Sequence, residues 1–146
     1  AENPSTATRT VSFVVNDGTA DSNTGTRDIT LTAANDAPVV ATTGSALAYT
    51  ENDAATAVDT GLTVTDADSA TLSSATVSVS ANYVTGQDVL SFADQNGITG
   101  SWNAGTGVLT LTGSASVANY QAALRSITYT NTFFLMIRPP PRSTLS

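Results

Sequence analysis

The feature that most limits what this chain can fold into is a series of short apolar–polar alternations, each cut off by a turn cluster. Val11, Phe13 and Val15 alternate with polar positions, Asn16-Asp17-Gly18 signals a turn, and 21–25 is a polar loop. Ile29 and Leu31 share one face of the next run. From Pro38 onward the spacing predicts strands near 47–50, 62–65, 76–80, 89–92, 98–102 and 108–112. Turn clusters separate them, notably Asp94-Gln95-Asn96-Gly97 and Asn103-Ala104-Gly105-Thr106-Gly107. Many short alternating strands of this kind predict an all-β chain folded as an antiparallel β-sandwich. One segment departs from the pattern. Val117, Tyr120 and Leu124 stand at helical spacing behind Ser116, a suitable N-cap, so a short helix is expected over 116–124, crossing the end of the sandwich. Ile127 and Tyr129 then resume strand alternation.

Composition agrees with this and excludes several chemistries. The 146 residues include no Lys, His or Cys, and twelve acids, ten of them Asp, face five Arg, for a net charge of -7. Thr and Val favour half-buried strands, and a chain poor in Glu and Lys is a poor source of exposed helices. Nucleic acid is not an expected partner, because its binding depends on basic side chains that neutralise phosphates. Without Cys there are no disulfides and no thiol chemistry. Without His the commonest general base and the usual zinc or copper ligand are missing. No apolar run approaches membrane-spanning length, so no membrane insertion is expected. Glu2-Asn3-Pro4 reads as the interior of a longer protein.

Asn35-Asp36-Ala37-Pro38 divides the chain. Proline biases Ala37 toward extended geometry, so the chain leaves one strand and enters another without a tight reversal. Asn35 and Asp36 place two oxygen-bearing side chains at that joint. Downstream, Asp66 and Asp68 are two apart on an extended segment and share a face. Two such carboxylates about 4 Å apart repel by ~4 kcal/mol at a surface-like dielectric. An oxygen-only donor set suits a hard cation that removes this penalty, and calcium is the expected cofactor. Asn and Asp are also ordinary turn residues, so the alternative is a solvated Asx turn.

The phrase Asn35-Asp36-Ala37-Pro38 closing one β segment, followed by Asp66-Ala67-Asp68 in the next, resembles the cadherin-like repeats of large bacterial surface adhesins. Val15-Asn16-Asp17-Gly18, Glu51 and Ile127-Thr128-Tyr129-Thr130-Asn131-Thr132 extend the resemblance over roughly residues 2 to 132. It implies a Greek-key, immunoglobulin-like sandwich and calcium at the repeat joints. It assigns metal ligation to Asn35, Asp36, Asp66 and Asp68, with Glu51 and Asp17 as ligands of sites toward other repeats. The family often has an acid two places before the linker Asn; here Ala33 stands there, so that site is expected to lack one ligand. The resemblance further implies that residues 1–34 are the closing strand pair of one repeat, 35–37 a linker, and 38–132 the beginning of the next repeat.

The function expected is a structural or adhesive module of a long exported bacterial surface protein, stiffened by calcium. Its partners would be neighbouring repeats of the parent chain, with a surface glycan or protein as a further ligand. The competing reading is a carbohydrate-binding module with Trp102 and Tyr83 as the platform; burial of the single Trp in the core is the plainer one. Asp88 and Asp94 can be posed as a carboxylate pair for glycoside cleavage. Turn chemistry explains both, and no enzyme activity is expected.

Residues 133–146, beginning Phe133-Phe134-Leu135-Met136-Ile137-Arg138 and rich in Pro, resemble translated sequencing-adapter DNA, with Pro139 in place of the usual Arg. They are expected to be a non-native, disordered tail. Reach sets a last expectation. A seven-residue strand spans ~23 Å, whereas the three residues 35–37 span only ~10–13 Å. Residues 8–34 are therefore expected to form a hairpin of their own and not to supply the closing strands of 38–132.

Overall fold

The structure is a computed structural model that describes residues 5–133. The readings made for Glu2-Asn3-Pro4, and for the tail from residue 134 on, lie outside the described residues. The chain divides into two compact units, Ala1–Pro38 with Asp66–Asp68, and Val39–Thr65 with Ser69–Ser146.

In the first unit, β1 (Arg9–Phe13) and β2 (Gly25–Ile29) form an antiparallel hairpin, with Arg9 opposite Ile29 and Phe13 opposite Gly25. Each pairs with the other and with no other strand among the described residues. Every residue of both strands is exposed. The polar loop between them is cross-braced: Ser22 N–H donates to the Val15 carbonyl at 2.7 Å, and Val15 N–H donates to Ser22 Oγ at 2.9 Å.

The second unit is an all-β sandwich with one helix, and every strand pairing in it is antiparallel. It contains β3 (Val39–Ala41), β4 (Thr56–Ala57), β5 (Thr63–Thr65), β6 (Thr71–Ser78), β7 (Asp88–Ser91), β8 (Thr99–Asn103), β9 (Val108–Ser116), α1 (Val117–Ser126) and β10 (Thr128–Asn131). The sheets run β6-β9-β8, β4-β10-β7 and β3-β5. Alternation dictates the core. On β9, Leu109, Leu111 and Ala115 turn inward, to meet Leu90 of β7, Ile98, and Tyr120, Ala123 and Ile127 from the helical segment. Ile98, Leu111, Tyr120 and Ala123 have no exposed surface. Burying such a side chain contributes about 1.5–3 kcal/mol, so β9 and α1 are the energetic centre of the unit.

The expected helix is present and slightly longer, Val117–Ser126, and Ser116 Oγ accepts from Asn119 N–H at 3.0 Å as its N-cap. Its polar residues tie it to the region of β5. Gln121 Oε1 accepts from Val64 N–H at 3.0 Å, and Arg125 Nε donates to the Leu62 carbonyl at 2.6 Å.

Three strand expectations are corrected. Residues 47–50 form no strand: Tyr49 anchors that segment instead, packing edge-on against Tyr129 at 5.0 Å and accepting from Asn131 N–H. β6 begins at Thr71, five residues earlier than read, because Thr71, Leu72 and Ser74 pair with β9 on either side of Ser73. β9 runs through Gly113 to Ser116. The register shifts between Leu72/Ala115 and Ser74/Thr112, so two β9 residues oppose one on β6 in a bulge. Gly113 sits there at φ 127, and a Cβ on it would lie 2.1 Å from the Gly97 carbonyl oxygen. The turn at 95–98 follows its sequence. Asn96 and Gly97 take φ 51 and 78 between the bridged Gln95 and Ile98, which is the Asn-Gly form of a type I′ turn.

Candidate functional site

Within the first unit, the linker and the Asp66-Ala67-Asp68 segment are tied directly. Asp36 N–H donates to Asp68 Oδ2 at 2.6 Å, across 32 residues of sequence. Asp68 N–H donates to Asp66 Oδ1 at 3.1 Å, so one carboxylate orders the backbone that carries the next. Asp36, Asp66 and Asp68 are all half-buried, and Asn35, beside Asp36, is exposed. The second oxygen of Asp68 is the unusual atom. Oδ1 is buried and accepts no hydrogen bond among the described residues. A buried carboxylate oxygen without a donor costs about 1–3 kcal/mol, more for a charged group, so it calls for a partner of positive character. Among the described residues no three acidic side chains gather into one group. Asp36 and Asp68 are thus brought together through a backbone N–H, and the carboxylates do not converge on one point.

The two outlying candidates stand differently. Asp17 Oδ1 accepts from Thr19 N–H at 2.8 Å and Ala20 N–H at 2.9 Å. These backbone donors, Ala20 first, hold its carboxyl below the ordinary Asp range. Its Oδ1 serves the hairpin loop, where Asn16 Nδ2 also donates to Asp21 Oδ1. Glu51 is exposed at a turn of the second unit.

Asp88, read from the sequence as a turn acid, is instead the centre of a buried hydrogen-bond network. It is 6% exposed. Tyr129 Oη and Asn131 Nδ2 both donate to its Oδ1, and Val84 N–H donates to Oδ2 at 2.8 Å. Burial pushes its carboxyl up, but the three donors outweigh that and leave it below the ordinary value. Tyr129 moves the other way: burial first, then its bond to Asp88, raises the phenol. The available signal was the alternation of Tyr129 and Asn131 on one face of the closing strand. Asp94 is spent on its turn, where Oδ1 accepts from Gly100 N–H at 2.9 Å. Trp102 is half-buried against the core cluster and meets Tyr83 edge-on at 6.0 Å, so both rings serve packing. Tyr83 also donates to the Ala104 carbonyl.

Over an alignment of 94 positions that takes in 61% of the chain, the sequence is 39% identical to Halomucin of Haloquadratum walsbyi, of which it covers 1%. The chain therefore spans about one hundredth of the length of the relative it matches. No family model matches the chain. No solved structure matches it. Among the described residues no helix is long and apolar enough to cross a membrane.

Proposed function

We propose that the chain is a structural, cadherin-like module of a long exported surface protein, and that calcium held at Asp36, Asp66 and Asp68, with Asn35, stiffens the linker. The module reading rests on the all-β sandwich and on similarity to a protein of great length whose name marks it as a mucin. The calcium reading is carried by one observation, the buried Asp68 Oδ1 that lacks a hydrogen-bond donor among the described residues. The donor set is all oxygen, which fits a hard cation. Asp68 would supply Oδ1 while Oδ2 keeps the Asp36 N–H. Asp66 and Asp36 add carboxylate charge nearby, and Asn35 adds an amide. Bound calcium would supply positive charge that offsets repulsion between these acids. Since no three acids gather into one group among the described residues, such a site would bind weakly, with an affinity like that of extracellular calcium modules. At millimolar calcium and a Kd of ~0.1 mM, such a site adds ~1.4 kcal/mol of stability. For a domain of this size that is a rise of about 5–10 °C in Tm.

Thermal melts in several millimolar calcium and in chelator test the reading. The wild type should melt higher with calcium, and Asp68→Ala should lose most of the difference. Equal melting temperatures for the wild type in both buffers would remove calcium from the account.

A further inference from the structure

Both halves of an unsatisfied β interaction lie on this one chain. The first half is the hairpin. Its register places Arg9, Val11 and Phe13 on one face with Gly25, Arg27 and Ile29, while Thr10, Ser12, Thr26 and Asp28 occupy the other. Thr10 Oγ1 donates to Asp28 Oδ1 across that second face. One face is thus hydroxyl-rich and acidic; the other combines three large apolar side chains with two arginines. Phe13 is 61% exposed and Ile29 48%. The outer edges of β1 and β2 pair with no strand among the described residues. A two-stranded ribbon of this kind is marginal by itself and templates further pairing.

The second half is a groove in the sandwich unit. A cleft of ≈ 530 Å³ is lined by Leu47, Ala57, Val58, Leu62 and Val77, together with Asp59. It lies against β4, which pairs with β10 and with no other strand among the described residues, so an open strand edge borders it. Leu47 and Val58 are left 49% and 41% exposed. Asp59 is the charged side chain of the lining. Thr43 N–H and Thr43 Oγ1 donate to its carboxylate, and Gly61 N–H adds a third bond. The groove therefore offers apolar walls, an ionised acid and an unpaired edge. The hairpin offers an apolar face, two cations and unpaired edges.

We propose that this groove receives the β1–β2 hairpin of a second copy of the chain, head to tail. Val11, Phe13 and Ile29 enter against Val58 and Leu47, Arg9 or Arg27 faces Asp59, and a hairpin edge extends the sheet at β4. This is strand addition at an exposed edge, with apolar pockets setting the register. Because donor and acceptor are different surfaces of the same chain, the contact is heterologous and can propagate or close into a ring. The inference does not depend on calcium.

Sedimentation velocity on the full chain, in chelator and from micromolar to millimolar protein, tests it with two variants. Phe13→Asp disables the hairpin and Val58→Asp disables the groove. The wild type should gain mass with concentration, and each variant alone should stay monomeric. An equimolar mixture of the two should form a 1:1 dimer, since each retains the surface the other lacks. That mixed dimer also demonstrates that both variants are folded. Ile29→Asp and Leu47→Asp replace any variant whose far-UV spectrum departs from the wild type. A wild type that stays monomeric throughout overturns the proposal, as does a mixture that stays monomeric. Association of Val58→Asp alone would indicate hairpin-to-hairpin contact and also overturns it. So does loss of association on removing residues 134–146, which would make that segment the occupant.

Discussion

Asp88 illustrates how much of this protein rests on single polar side chains held by donors. Its folded carboxyl lies below the ordinary Asp value because the bonds from Tyr129, Val84 and Asn131 outweigh burial. The folded state therefore holds that proton less readily than the unfolded chain. The stability gained is complete above the ordinary carboxylate range and is lost as pH falls through the depressed folded value. Asp59, held down first by Thr43 N–H, and Asp17, by Ala20 N–H, carry the same sign. Asp88→Asn turns an amide donor toward groups that are already donors, so it should cost about 1–3 kcal/mol at neutral pH. Urea titrations across pH should show the gap to wild type narrowing below about pH 4. A gap that is constant down to the acid limit would remove Asp88 from the acid transition. Gly113 makes a second residue-scale case. Gly113→Ala would place a methyl 2.1 Å from the Gly97 carbonyl oxygen at a φ of 127. The expected loss is at least about 3 kcal/mol, well above the ordinary Gly→Ala effect. A variant within 1 kcal/mol of wild type, by the same urea titration, would show that the bulge can relax.

At the scale of elements, what the sequence made legible was whatever a local rule governs. Helix α1 announced itself through Val117, Tyr120 and Leu124 and through the cap at Ser116, and the Asn96-Gly97 turn through its dipeptide. Ser116→Ala should cost about 1 kcal/mol, read as a lowered Tm with no change of fold. Elements that depend on distant partners were not legible. β4 is two residues long and exists because β10 pairs with it. The segment at 47–50 alternates like a strand, yet the Tyr49–Tyr129 contact and the Asn131 N–H hold it outside any ladder. Gly113 reads as a strand breaker, but the bulge uses its positive φ to carry β9 onward. The hairpin β1–β2 is the element with least support, since all ten of its strand residues are exposed. Amide exchange measured at dilute protein should show Val11 and Phe13 many-fold less protected than Leu109 and Leu111. Equal protection would mean that the hairpin shares the stability of the sandwich.

Over the whole molecule, the all-β sandwich was readable because alternation and turn chemistry repeat along the chain. The candidate site was readable only in part. The Asp-Ala-Asp spacing and the Asn-Asp-Ala-Pro joint, read together with the cadherin-like resemblance, singled out Asp66, Asp68 and Asp36. The atoms that matter were not visible there: the bond from Asp36 N–H to Asp68 Oδ2, and the buried Oδ1 left beside it. Both depend on how two segments 32 residues apart meet, which no local pattern encodes. At Asp17 one carboxylate oxygen, Oδ1, accepts from the loop amides of Thr19 and Ala20, a local use that the Asn-Asp-Gly turn already suggested. The central claim, a cation at Asp68, can be followed directly by a calcium titration of the ¹⁵N-labelled chain. The account predicts that the amide resonances of Asp36 and Asp68 shift together and saturate in the millimolar range, and that Asp68→Ala abolishes the shift at Asp36. Resonances of Asp36 and Asp68 that stay unmoved by calcium, while the rest of the spectrum is well dispersed, would contradict it.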